Sequence, residues 1–259
     1  MDSQTLSRTE QWLSPVLASL KKYILAIAGL ALALFLAMSS FFTTQLGYTY
    51  VVQDTLFGSI RVFTEPGLHF KVPLFSNVYT YNQAMTLSFG NQESGEKIKS
   101  TRQLTEVEVQ FADTYTARIP ATFRFRLSAD PEKIVAMHRE FRSYDNLIDS
   151  LLIKNAKNVT VVTATQYTGE EFFQGGLNKF KVQLEDQLQN GLYETERRQV
   201  EIEQTDLAAV SSSNDDGDRL ERKVQLVWKN IILQDKAGQA KRIANPLDSY
   251  GIQVRQVTI

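Results

Sequence analysis

The sequence contains no cysteine. That single absence excludes disulfides, thiolate metal sites, cysteine nucleophiles and palmitoyl anchors. Histidine is nearly as scarce: His69 and His138 are the only two in 259 residues, which leaves little material for a base–nucleophile pair or an imidazole metal site. No GxSxG, HExxH, phosphate-loop or dinucleotide pattern occurs. Charge of one sign is also missing, since 28 basic and 29 acidic residues leave a net charge of −1, and such a chain offers no electrostatic footprint for nucleic acid. The expectation is therefore no catalytic residue, no cofactor and no metal, with partners chosen by shape and apolar contact. An anchored enzyme, such as a membrane serine protease, and a monomeric adaptor domain are the alternatives, and no nucleophile constellation supports the first.

What the sequence does have is a run of 31 residues, from Tyr23 to Gln53, without a charge. Its first part, Tyr23 to Phe42 (YILAIAGLALALFLAMSSFF), follows directly on Lys21 and Lys22. Twenty helical residues at about 1.5 Å each cover the roughly 30 Å hydrocarbon core of a bilayer, where only a helix or a closed barrel satisfies every backbone amide. A membrane helix over 23–42 is predicted, with Tyr23, Leu30, Leu34, Phe35, Phe41 and Phe42 as its anchoring residues. The run is too long for the apolar region of a cleavable signal, about 7–15 residues, and Ser39-Ser40 is followed by Phe41-Phe42 rather than by a small-residue cut site. Arg8, Lys21 and Lys22 precede the span and the next basic residue is Arg61. The positive-inside tendency thus places a short arm, residues 1–22, in the cytoplasm and the body across the membrane, in the periplasm if the membrane is a bacterial inner one. Within the arm, Trp12, Leu13, Val16, Leu17 and Leu20 fit a short amphipathic helix interrupted at Pro15.

Beyond the span, Tyr48–Val52 and Ser59–Phe63 read as strands. Between Leu104 and Leu127 the alternation is strict: Tyr115, Ala117, Ile119, Ala121, Phe123, Phe125 and Leu127 share one face, and Arg118, Arg124 and Arg126 lie on the solvated one. Val107, Val109 and Phe111 alternate likewise before Ala112-Asp113-Thr114. A turn there sets Val109 opposite Ala117 and Glu108 opposite Arg118, so apolar partners share a face and opposite charges share the other. Pro120 lacks an amide donor and predicts an edge or a bulge. Asp130-Pro131 begins a helix carrying Ile134, Met137 and Phe141. A second helix, Tyr144 to Val159, buries Leu147, Ile148, Leu151, Leu152 and Val159. Thr168-Gly-Glu-Glu171 has capping-box spacing ahead of a stripe at Phe173, Leu177, Phe180, Leu184 and Leu188, which Gly191 ends. Strands return at Gln199–Thr205, Lys223–Gln234 and Gly251–Ile259, the last with a bulge at Arg255-Gln256. The acidic stretch 211–218 between the first two reads as an exposed loop; it lacks EF-hand spacing and is not read as a calcium site.

One segment carries more than secondary structure. Glu65-Pro66-Gly67-Leu68-His69-Phe70-Lys71-Val72-Pro73-Leu74-Phe75 is a proline–glycine turn, a short strand and a second proline, loaded with apolar side chains soon after a membrane helix. Pro66, Gly67, Leu68, His69, Phe70 and Pro73, with the strands before them and the Gly-Ile-initiated last strand, resemble the SPFH or Band 7 domain shared by stomatins, prohibitins, flotillins and the bacterial HflK and HflC proteins. The organisation is most similar to the HflK/HflC and prohibitin branch. The resemblance implies an α+β fold: one N-terminal transmembrane helix, then an SPFH domain of antiparallel strands packed with helices. It divides the body into a membrane-proximal β-rich part, 43–130, and an α/β part, 131–259, with an inserted hairpin at about 199–245. It also implies a non-enzymatic scaffold that associates laterally into a ring or cage, organises a membrane patch, and takes as partners the lipid bilayer, copies of itself or a paralogous SPFH protein, and an FtsH-type membrane AAA protease. In the family the last strand leads into a long helical coiled coil, which this sequence, ending at Ile259, does not include.

Overall fold

The computed structural model describes residues 3–90, 101–204 and 223–259, with side chains described for 20–90, 101–201 and 226–259. The acidic stretch 211–218 lies outside the described residues. Two compact units divide the chain at Tyr79/Thr80. The boundary expected near residue 130 is not a structural one, because β10 (Ala121–Arg126), before it, pairs along its length with β13 (Gln253–Thr258) at the other end of the chain.

In the first unit, α1 runs as one helix from Ser3 to Ser39. Its backbone continues through Pro15, so the expected interruption there does not occur. The segment long and apolar enough to cross a bilayer is Leu20–Ser39, and none of it is buried by protein. The helix ends three residues earlier than its composition implies. Ser39 and Ser40 both return their hydroxyls to the carbonyl of Leu36, at 3.0 and 2.7 Å. Phe41 and Phe42, expected in the membrane helix, instead open a strand, β1 (Phe41–Thr44). Tandem aromatics followed by β-branched threonines suit a pleated surface better than a helix. β1 pairs antiparallel with β4 (Gly67–Phe70), and beside this ribbon stands a three-stranded sheet in the order β3 (Ile60–Phe63), β2 (Tyr48–Asp54), β5 (Ser76–Asn82).

The second unit is built on a sheet ordered β13-β10-β6-β7, where β6 is Ala84–Phe89 and β7, Thr101–Leu104, is its one parallel neighbour. The hairpin β8 (Val107–Gln110) to β9 (Thr116–Ile119) has the register read from charge and alternation: Val109 opposes Ala117 and Glu108 opposes Arg118. Pro120 separates β9 from β10, and the chain changes sheets there, because a residue without an N–H cannot continue a ladder. On β10, Ala121, Phe123 and Phe125 are buried and Arg124 and Arg126 exposed. The bulge in β13 falls where the apolar phase shifts. Gln256 pairs with Arg124 and Val254 with Phe125, leaving Arg255 as the extra residue and turning both Val254 and Val257 inward.

Helices cover this sheet. α2 (Pro131–Phe141) is capped by the Asp130 carboxylate, which accepts from the Glu132 amide at 3.0 Å. α3 (Tyr144–Leu147) runs through a π-helical turn, Ile148–Leu152, into α4 (Ile153–Ala164). Thr168 and Glu171 form the full capping box at α5 (Gly169–Glu171). The expected stripe then breaks, because the helix kinks at Gln174 and Gly175 (φ 107°) before α6 (Leu177–Asn190). Phe180, Leu184 and Leu188 are fully buried, but Phe173 and Leu177 lie outside and Phe172 takes the inner place against Phe111 and Phe180. Gly176 is required at the kink: a Cβ there would stand 2.2 Å from the Glu171 carbonyl oxygen.

His138, on α2, is 3 % exposed, and its Nδ1 lies 2.8 Å from the Tyr81 hydroxyl. Burial holds its pKa below the ordinary 6.5. Between the folded and the unfolded pKa the unfolded chain binds more protons, so His138 leaves stability intact above about pH 6.5 and lowers it as pH falls through the folded value. In detergent, the thermal midpoint should drop between about pH 7.5 and about pH 5.5, and His138→Gln should flatten that drop; an identical slope in the variant would count against this origin.

Candidate functional site

The membrane-proximal sequence motif and the end of the apolar helix meet in one small ribbon. Its register pairs Phe41 with Phe70, Phe42 with His69, Thr43 with Leu68 and Thr44 with Gly67. Directly opposed residues share a face, so the ribbon has two unlike sides. Phe41, Thr43, Leu68 and Phe70 form the outer side, with Phe41 52 %, Leu68 66 % and Phe70 54 % exposed. Phe42, Thr44 and His69 form the inner one.

The inner side is an aromatic cluster. The Phe42 ring lies 5.7 Å from those of Phe63 and His69 and 6.3 Å from Tyr50, and His69 stacks on Phe63 at 4.3 Å. His69 Nε2 is 3.1 Å from the Thr44 hydroxyl, which donates at 2.7 Å to the carbonyl of Glu65. That bond holds the Pro66-Gly67 turn against β1. His69 is thus a packing and positioning residue of the ribbon.

Two apolar tips lie beside the ribbon in the same unit. One is Thr55–Gly58, following β2, where Leu56 and Phe57 are 58 % and 72 % exposed. The other is the turn through Pro73 into β5, where Leu74 and Phe75 are 82 % and 47 % exposed. Leu74 adopts φ 66°, a left-handed conformation costing a leucine about 1 kcal/mol. Thr55 staples the tips together: its amide donates to the Phe75 carbonyl at 2.8 Å, and its hydroxyl donates to the same oxygen.

Asp54 secures the staple. Its carboxylate is almost wholly buried and accepts from Ser76 on one oxygen and from Ser59 and Arg61, each at 3.0 Å, on the other. The Ser76 hydrogen bond is the largest influence on the acid, burial opposes it, and the net effect holds its pKa below the ordinary 3.8. Sequence reasoning missed this residue. It also missed the Leu56-Phe57-Gly58 tip, whose only signal is a pair of large apolar residues directly before a turn glycine.

Of the residues expected to anchor the chain, Tyr23, Leu30, Leu34 and Phe35 lie on the apolar helix with more than half of each surface uncovered, and Phe41 and Phe42 belong to the ribbon. The motif residues Gly67, Leu68, His69 and Phe70 form β4, Pro66 begins its turn, and Pro73 leads into the second tip. Arg118, Arg124 and Arg126 stay apart on solvated strand faces, with Arg118 3.9 Å from Glu108. Among the described residues, no three of His, Asp and Glu come together in a metal-holding group.

Asp54→Ala should cost about 2 kcal/mol, since it leaves Arg61 and two hydroxyls without their buried acceptor. Amide hydrogen exchange in 55–58 and 72–75 should rise while α6 stays protected; unchanged exchange at both tips would show that the staple does not depend on Asp54. The carboxylate's contribution is full above its unfolded pKa and lost only as pH falls through the depressed folded value, well below neutrality.

No curated protein is significantly similar to the chain. A family model described as SPFH domain / Band 7 family matches residues 42–259, from the first strand of the ribbon through the last strand. The chain belongs to the SPFH domain / Band 7 family.

Proposed function

We propose that this protein is a non-enzymatic, single-pass membrane scaffold whose SPFH domain is seated on the bilayer and associates laterally with further copies into a ring or cage. The family is one of membrane-associated scaffold domains, and one apolar helix ahead of the domain is long enough to cross a bilayer. The observation that carries the reading is the ribbon directly after that helix. Its outer face and the two stapled tips place Phe41, Leu68, Phe70, Leu56, Phe57, Leu74 and Phe75 in contact with solvent within one unit. Exposed apolar groups in this number, next to a membrane span, fit a headgroup layer better than water.

Each domain would then sit at a fixed height, and confinement to one plane would raise the effective concentration of neighbouring copies. Lys21 and Lys22 at the start of the span favour a cytoplasmic N-terminus and a domain on the opposite side, periplasmic in a bacterial inner membrane. Such an assembly would organise a membrane patch and modulate a membrane-bound AAA protease held within or beside it, alone or with a paralogous SPFH protein.

The test is the protein mass of the full chain extracted in a mild detergent and measured after subtraction of the bound micelle. A multiple of 29.4 kDa is expected. A single copy would contradict lateral association. Proteolysis of sealed vesicles, with sites in the body protected or open according to side, reads the orientation.

A further inference from the structure

The second unit carries a long hairpin separate from its main sheet. β11 (Thr195–Gln204) and β12 (Lys223–Ile232) pair over ten unbroken positions, from Thr195 opposite Ile232 to Gln204 opposite Lys223. β12 is the docked strand: the Lys229 ammonium lies 2.6 Å from the Glu171 carboxylate and the Asn230 amide donates to Thr165 at 2.8 Å. β11 has only β12 beside it among the described residues, and no backbone partner meets its outer side. An edge strand is normally blunted by shortness, lysine, proline or a bulge. β11 is long, unbroken and free of lysine and proline, and the only edge protection it carries is its arginine and glutamate charge.

Its charges carry a pattern. Glu196, Arg197, Arg198 and Glu201 are all exposed. We infer that β11 pairs antiparallel with β11 of a second copy about a two-fold axis at Gln199, making a four-stranded sheet β12-β11-β11-β12 across two protomers. In that register each Arg197 lies opposite Glu201 of the other copy, Arg198 opposite Val200, and Glu196 opposite position 202. No like charges oppose one another. A one-residue slip in either direction sets Glu196 against a carboxylate, at 201 or at 203, and reverses the faces. Parallel in-register stacking sets every charge against itself. A two-residue slip centred on Val200 also avoids like charges and sets Arg197 opposite the glutamate at 203, but it places Glu201 opposite Gln199 instead of opposite an arginine. The charges that look like protection against pairing thus restrict β11 to antiparallel registers centred on Gln199 or Val200 and oppose open-ended parallel stacking, and of the two the Gln199 register brings together Arg197 and Glu201, both exposed.

The same face strengthens the choice. Gln199 lies opposite Trp228 within the hairpin, the Arg197 guanidinium stands 5.5 Å from the Trp228 ring, and Trp228 and Leu226 are 49 % and 57 % exposed. An isolated two-stranded hairpin is marginal in water, whereas a four-stranded sheet is not. Each Arg197 would be held between its own indole and the partner's carboxylate. This inference rests on the lateral-scaffold reading and names one contact within it.

The absence of cysteine makes the test clean. Directly opposed residues at a two-fold axis bring Cα atoms to about 4.5–5.5 Å, within disulfide reach. Full-length Gln199→Cys in native membranes, treated with a mild oxidant, should give a reducible species of two chains. Glu196→Cys should give none, because the two copies of position 196 lie far apart in this register. Arg197→Glu added to Gln199→Cys should abolish the cross-link, and Arg197→Glu with Glu201→Arg should restore it, which also shows that the variants fold. Failure at 199, equal cross-linking at 196, or trapping through Val200→Cys instead would overturn the proposal. A large detergent particle without the 199 cross-link would leave the scaffold standing and remove this contact, whereas a single-copy particle would remove both.

Discussion

The structure depends on how the backbone leaves the hydrocarbon. A helix inside a bilayer satisfies its own amides, but the chain beyond its end must find partners at once or carry unpaired groups at the lipid boundary. Here the transition is made within two residues. Ser39 and Ser40 turn their hydroxyls back on Leu36, the Lys71 amide donates to the Ser40 carbonyl at 2.8 Å, and Phe41 is already paired with Phe70. The Pro66-Gly67 turn matters because it delivers β4 to that position.

Pairing at this boundary dictates where the apolar side chains go. A two-stranded ribbon has two faces, and once Phe42 and His69 are committed to the cluster around Phe63 and Tyr50, Phe41, Leu68 and Phe70 must point outward. The tips at 55–58 and 72–75 follow the same logic through Asp54, whose buried carboxylate ties the end of β2 to the start of β5. One hydrogen-bonded scaffold therefore displays an apolar surface beyond the charge-free run of the sequence.

Much of this was legible in the sequence where one local rule acted alone. The β8–β9 register followed from alternation plus a single Glu–Arg opposition, the α2 and α5 caps from their residue types, and the Arg255 bulge from a slip in apolar phase. Legibility failed where two rules competed. Phe41 and Phe42 are apolar enough to extend the span, yet their pairing with His69 and Phe70, distant in sequence, decides their state. Phe173 and Leu177 keep helical spacing, but Gly175 and Gly176 rotate the turn between them and push them outward. Asp54 gave no sequence signal because its three donors become neighbours only on folding. Helix composition likewise did not reveal that α1 runs through Pro15.

The central claim is that the ribbon and its tips rest in the lipid interface. Single cysteines at Phe57 and Leu74, and at the exposed turn residue Lys236 for reference, can be labelled with an environment-sensitive fluorophore in reconstituted vesicles and quenched by lipids brominated at defined depths. The account predicts strong quenching by shallow bromines at 57 and 74 and none at 236, whereas labels at 57 and 74 that stay as open to an aqueous quencher as the one at 236 would contradict it.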